Sequence, residues 1–166
     1  MNEFFRWLEA TPLSVWTRES TSVLAFPTIL SAHAIGMGLA AGIGGAISLR
    51  LLGAARSIPA RHLQAFVPVL WIGFGMNAVS GLLLLVAYPT KAFTNPLFYV
   101  KLAAIALGLV TFVTIRRRLH AEAPASGAVA TGSLRSLAMV SLVAWVSAIF
   151  AGRLLAYTYH RLLADF

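Results

Sequence analysis

The chain has 166 residues, of which 59% are hydrophobic and 11% charged, with a formal net charge of +8. Its mean hydropathy of +0.82 excludes a soluble domain of this size, which would need far more polar surface. No cysteine is present, which excludes disulfides, thiolate metal sites and iron–sulfur clusters, and the basic excess lacks the aromatic-interleaved soluble patches of a nucleic-acid binder.

The first twenty residues, MNEFFRWLEATPLSVWTRES, do not read as a span. Phe4, Trp7 and Leu8 recur at helical spacing among Glu3, Arg6 and Glu9. Thr11 followed by Pro12 is a cap and first-turn signal for a second short helix. The stretch predicts an interfacial amphipathic segment over residues 1–20, anchored by Trp7 and Trp16. Its acids and its Thr-Pro break differ from the basic start and short apolar core of a secretory signal peptide, so none is expected.

Residues 21–166 then read as one transmembrane domain. Four apolar runs, at about 22–52, 65–88, 96–116 and 136–159, each exceed or match the roughly 20 residues needed to cross a bilayer. The first run is longer than a span requires, and Pro27 near its start is either tolerated or kinks the helix. Gly36, Gly38, Gly42, Gly44 and Gly45 crowd this run, and Gly73 and Gly75 lie on the second. Small residues allow close helix approach, and they also make room for a flat cofactor. Pro59 breaks the first loop, and Pro68 opens the second run. AYPTKAFTNP is the second loop, with Tyr88, Phe93 and Tyr99 suited to a membrane–water interface. HAEAPASGAVATGS reads as a flexible linker between runs three and four. The expected fold is therefore all-α, an up-down bundle of four transmembrane helices preceded by a short interfacial helix.

Charge sets the expected orientation. The loops after runs one and three hold Arg50, Arg56, Arg61, Arg116, Arg117, Arg118 and Arg135 against the single acid Glu122. On the other side Arg6, Arg18, Lys91 and Arg161 balance Glu3, Glu9, Glu19 and Asp165. The positive-inside rule puts the arginine-rich loops in the cytoplasm and both termini outside.

Ionisable residues inside a membrane are costly, and each is a functional hypothesis. Three fall within the runs: His33, Lys101 and Arg153. At ~1.5 Å of rise per residue, His33 lies roughly 16 Å from the outer surface, Lys101 roughly 8 Å and Arg153 roughly 9 Å. An imidazole at mid-depth beneath two cations suits haem b, with His33 as an axial ligand and Lys101 and Arg153 against the propionates. Met76 matches the depth of His33 and gives a candidate second axial ligand, with Asn77 beside it as a hydrogen-bonding residue; a five-coordinate iron is the alternative. His62, His120 and His160 fall near helix ends. The competing readings are a His33 bonded to a carbonyl, Ser31 or Asn77, lysine and arginine side chains that snorkel to headgroups, and a soft copper site of His33, Met37 and Met76. Buried acids, a nucleophile elbow, a phosphate loop and a zinc motif are all missing from the sequence.

The order of these features resembles a known family. A histidine in helix one, SLRLLG at its end, SGLLLLVAYP closing helix two and FYVKLAAIALGL opening helix three resemble bacterial four-helix membrane proteins. That family includes the haem-dependent protoporphyrinogen oxidase and the copper resistance protein D-like domain. The resemblance covers roughly residues 30 to 115 and implies that His33 and Lys101 are tied to haem. WVSAIFAGRLLAY, with SAHAIGMGL and LRLLG, is similar to a family of small bacterial membrane proteins of unassigned function.

The expectation is thus a membrane protein that binds haem b through His33 and exchanges electrons with a periplasmic redox protein or quinone. Three rivals remain: a haem-dependent oxidase of a porphyrin-like substrate, a copper-handling protein, and a cofactor-free subunit that docks a membrane-protein partner or a second copy of itself.

Overall fold

The computed structural model describes residues 2–54, 57–58, 60–121 and 132–162. Arg56, Glu122, Asp165 and most of the linker lie outside the described residues, as do the side chains of Arg61, His120, His160 and Arg161. All described elements are helices: α1 (Asn2–Glu9), α2 (Pro12–Glu19), α3 (Phe26–Leu52), α4 (Ala60–Gln64), α5 (Val67–Ala87), α6 (Pro89–Thr94), α7 (Pro96–Ala121) and α8 (Gly132–Leu162). Four segments, Phe26–Leu52, His62–Ala87, Pro96–Leu119 and Gly132–Thr158, are long and apolar enough to cross a membrane. The chain is a multi-pass membrane protein with an all-α bundle.

Local chemistry sets the helix ends. Thr11 is extended and accepts the Ser14 N–H at 3.4 Å through Oγ1, with Pro12 opening α2. Pro27 sits in the first turn of α3, where its missing N–H removes no helical bond, so it starts the helix and does not kink it. At the other end Gly53 takes φ 111°, the left-handed conformation open to glycine. The Ala54 N–H then returns to Leu49 O at 2.9 Å and closes the helix. Asn95 caps α7: its Oδ1 accepts the Leu97 N–H at 3.0 Å, and its Nδ2 donates to Thr158 Oγ1 at 2.9 Å, pinning α7 to the end of α8. α7 extends to Ala121 and α8 starts at Gly132, so both are longer than their apolar runs. The added turns carry arginines, which the apolar count ended at but which the helix does not.

The four long helices pack in the spatial order α5, α3, α8, α7. At the end holding Arg50, Arg116 and Arg135, Ile47, Leu51, Leu70, Phe112, Ile115 and Leu134 close the core. There the rings of Trp71 on α5 and Phe112 on α7 meet at 6.5 Å between centroids, spanning the two outermost helices. Further along, Trp145 is buried on Ala40 and Ala41. Its indole lies against Gly44 of α3 and Gly108 of α7, where any β-carbon would collide with it. Gly36 and Gly73 do comparable work between α3 and α5. A β-carbon on Gly36 would stand 2.6 Å from both Asn77 N and Gly73 O. Gly36, Gly44, Gly73 and Gly108 thus serve helix contact, the first of the two uses open to small residues. Gly38, Gly42 and Gly75 have nothing within 4 Å of the β-carbon position.

At the opposite end α1 and α2 fold back on the bundle. Phe5 stacks on Phe93 at 5.2 Å, and Arg18 donates to Ala87 O (3.3 Å) and Glu9 O (2.9 Å). The guanidinium thereby satisfies a carbonyl at the C-terminus of α5, where positive charge is favoured. Phe4, Trp7, Leu13 and Trp16 remain exposed.

Candidate functional site

The polar layer of the bundle lies in the half nearer α6. His33 is eight residues into α3, counting from Phe26, and Lys101 six into α7, counting from Pro96. Asn77, Ser80 and Gly81 share one face of α5 because they are spaced three and four residues apart. The close approach permitted by Gly36 and Gly73 brings that face onto α3.

The imidazole is held at both nitrogens. Nδ1 lies 3.1 Å from Asn77 O and 3.2 Å from Ser80 Oγ. The Ser80 hydroxyl has its own acceptor, Met76 O at 2.6 Å. Asn77 Nδ2 also lies 3.3 Å from Nδ1 but has its own acceptor in His33 O; the shorter contact of Nδ1 is to a carbonyl oxygen, which only accepts, and assigns the Nδ1 proton to Asn77 O. Nε2 is then a bare acceptor, and Lys101 Nζ donates to it at 2.9 Å. The Asn77 side chain returns to α3 through Nδ2, which donates to His33 O at 2.8 Å. The ring lies on Gly81, where a β-carbon would come within 3.1 Å of Cε1. The stem of Lys101 crosses α8 at Gly152, where a β-carbon would meet Cε at 3.6 Å.

The helices of this half do not all pack on one another. α8 lies between α3 and α7, and α5 and α7 do not pack closely on each other. Trp71 and Phe112 bridge these two helices at the arginine-rich end. Near α6, the His33–Lys101 pair crosses the interior instead, and both residues are only half-buried.

Of the residues expected at the site, His33, Asn77 and Lys101 come together. Arg153 follows Gly152, next to Lys101, but its side chain is exposed on α8 with no partner among the described residues. Met76 contributes its carbonyl to Ser80. Met37 packs on the Ala40–Ala41–Trp145 cluster, which accounts for it as core. Ser31 is exposed and makes no bond to His33. Among the described residues no group of three or more His, Asp or Glu could hold a metal ion.

Sequence reasoning missed Ser80, Gly81 and Gly152. The signal for the first two was the spacing in NAVSG: a serine and a glycine one turn beyond an intramembrane asparagine fall on the same face.

The site matches what a ligating histidine requires. Metal-bound imidazoles normally donate the other ring N–H to a carbonyl, which fixes tautomer and orientation. Asn77 O supplies that acceptor, and Nε2 is met by the Lys101 amine. No protein-family model matches this chain, and neither a curated protein nor a solved structure matches it.

Proposed function

We propose that this chain is a haem b-binding membrane protein of the bacterial inner membrane, with its arginine-rich end in the cytoplasm. It would exchange electrons with a periplasmic redox protein or a quinone. The observation that carries the reading is the anchoring of His33 Nδ1 on Asn77 O, which leaves Nε2 facing the amine of Lys101 at a half-buried site. His33 Nε2 would hold the iron; Lys101 and Arg153 would receive the propionates. Haem b, when bound, supplies one-electron redox chemistry.

The residues of the chain have separate tasks in this reading. Asn77 O and Ser80 fix the imidazole, so the ligand position is preorganised before binding. Gly81 leaves space for the ring. The α3–α5 contact excludes water from the Nδ1 side. α5 and α7 do not pack closely on each other, and a flat amphipathic molecule would enter from the lipid between them, in this reading or in the rival one of an oxidase acting on a porphyrin-like substrate. A cofactor-free subunit is favoured by one feature: Lys101 already satisfies Nε2, so the imidazole has no unmet bond.

The test is an absorption spectrum of the detergent-purified protein from haem-replete cells, oxidised and dithionite-reduced, beside His33→Ala. A Soret band that shifts on reduction and is lost in the variant is expected. A colourless wild-type protein would overturn the haem reading in favour of the subunit.

A further inference from the structure

We infer that the arginine-rich end of the bundle holds one anionic phospholipid, with an acyl chain in an apolar cleft between α5 and α7 and its phosphate on Arg116. The cleft has a volume of about 200 Å³. Ile47 of α3, Gln64 of α4 and Val67 of α5 line it together with Phe112, Ile115 and Leu119 of α7. It exists because α5 and α7 do not pack closely on each other. The ring contact of Trp71 with Phe112, one turn beyond Val67, is where the two helices touch. All of these lining residues fall within segments long and apolar enough to cross the membrane, so the bilayer is the medium around the cleft.

Apolar walls alone select no occupant here, because a chain already in lipid gains nothing by leaving water. Charge makes the selection. Arg116 belongs to the lining, on the same face of α7 as Phe112 and Leu119, since steps of three and four residues share a face. It stands three residues inside the end of its span at Leu119, roughly 4.5 Å of helix rise. Its side chain is exposed, so the stem can follow the cleft while the guanidinium reaches headgroup level. A guanidinium at that level meets phosphate diesters and matches them with two parallel N–H···O bonds. Half-buried Gln64 adds an amide on the opposite side of the cleft. The neighbouring arginines face elsewhere: Arg118 donates to Ser133 Oγ, toward α8, and Arg50 to Ile58 O in the first loop. Among the described residues Arg116 is thus the arginine of the cleft. A zwitterionic headgroup brings its own cation into this basic end, and an anionic one does not, so net negative charge is preferred.

Native mass spectrometry of the detergent-purified protein tests the site, because it counts bound lipids one at a time. The probes are dioleoylphosphatidylglycerol and dioleoylphosphatidylcholine, which share their chains and differ in net charge. Wild type should bind the first phosphatidylglycerol about 5- to 10-fold more tightly than phosphatidylcholine, the scale of one lipid charge against an arginine. Arg116→Gln should bring the two within about twofold. Arg117→Gln makes the same charge change at an exposed residue outside the lining and should keep the preference. Leu119→Trp retains every arginine but narrows the cleft, and should weaken phosphatidylglycerol binding. Glycerol phosphate in excess, the anion without chains, should not displace the lipid. Equal binding of the two lipids by wild type would overturn the site. Equal losses in Arg116→Gln and Arg117→Gln would do so too, and would replace it with a diffuse basic belt. Displacement by glycerol phosphate, or full affinity in folded Leu119→Trp, would show that no chain occupies the cleft. Binding that appears only when residues 123–131 are replaced by a Gly-Ser linker would give the cleft to the chain's own linker and overturn the lipid assignment.

Discussion

Lys101 Nζ donates to His33 Nε2 at 2.9 Å, joining α7 to α3 across α8, the helix that lies between them. The contact is the polar counterpart of the Trp71–Phe112 contact at the other end, which joins the outermost pair by apolar surface. At each end a pair of side chains thus reaches across the bundle, and the pair near α6 is the polar one.

The two residues should be energetically coupled. Lys101→Leu leaves Nε2 without a donor, and His33→Leu leaves the amine without its acceptor. A double-mutant cycle, read from unfolding in sodium dodecyl sulfate, should give a coupling of about 0.5–1.5 kcal/mol, the range of interhelical hydrogen bonds in membranes. Strict additivity of the two single effects would show that the contact contributes nothing to stability.

Asn77 fastens the same site from α5. Asn77→Ala keeps the backbone carbonyl that orients Nδ1 but loses the 2.8 Å bond to His33 O. The helix contact should weaken by about 1 kcal/mol. If His33 ligates haem, affinity should fall no more than about tenfold, the lower end for loss of an orienting partner, since the carbonyl remains. Gly81→Ala is expected to be worse for the ligand, because its β-carbon would come within 3.1 Å of the imidazole. Soret titration of both variants ranks them, and the reverse order would rule out the ring resting on Gly81.

The glycines of α3 should divide sharply. Gly36→Ala puts a methyl 2.6 Å from Asn77 N and Gly73 O, which are backbone atoms that cannot rotate away. Overpacking of this kind costs about 1–3 kcal/mol or more. Gly38→Ala and Gly42→Ala meet nothing within 4 Å and should match wild type or gain slightly in helix propensity. Thermal unfolding in detergent compares them; similar losses in all three variants would contradict the assigned α3–α5 contact.

The sequence carries much of this architecture and only part of the site. Four apolar runs, the Thr11-Pro12 cap and the position of His33 are visible because burial in lipid leaves a compositional mark. Rise per residue places His33 roughly 16 Å and Lys101 roughly 8 Å deep, in the same half of the bundle but not at one level; that the lysine side chain closes this gap is seen only in the structure. The facing of each residue is not legible in the sequence either. Gly36 and Gly38 are two residues apart, and one is a helix contact while the other is bare. Met76 and Asn77 are adjacent, and the Asn77 side chain bonds His33 whereas Met76 enters the site through its carbonyl, on Ser80. Arg153 has the depth of Lys101 but points outward. An apolar helix lacks the polar face that marks the rotation of a soluble one, so rotation follows only from packing against neighbours.

Buried polar atoms give a stability prediction away from the site. Ser141 Oγ and Trp145 Nε1 lie one turn apart on α8, both buried and without a hydrogen-bond partner among the described residues. A buried hydroxyl without a partner costs about 1–3 kcal/mol relative to a satisfied one. Ser141→Ala removes that group with little change of volume and should stabilise the bundle. Trp145→Ala should cost about 3–5 kcal/mol by opening a cavity between Gly44 and Gly108. Destabilisation by Ser141→Ala would mean that its hydroxyl is bonded in the membrane-embedded protein.

Orientation can be read directly because the chain has no cysteine of its own. Ser57, in the loop between α3 and α4, and Thr90, in α6, are exposed positions at opposite ends of the bundle. Ser57 lies in the connection that contains Arg56, and at the same end Arg118 donates to Ser133 Oγ at 3.0 Å. The excess of arginine there should hold this end on the cytoplasmic side. With a membrane-impermeant thiol reagent on intact bacterial cells from which the outer membrane has been permeabilised, Thr90→Cys should label and Ser57→Cys should not. Lysis should expose Ser57→Cys. The opposite pattern would invert the protein. It would then place the His33–Lys101 opening in the cytoplasmic leaflet and make a cytoplasmic electron partner the one to seek.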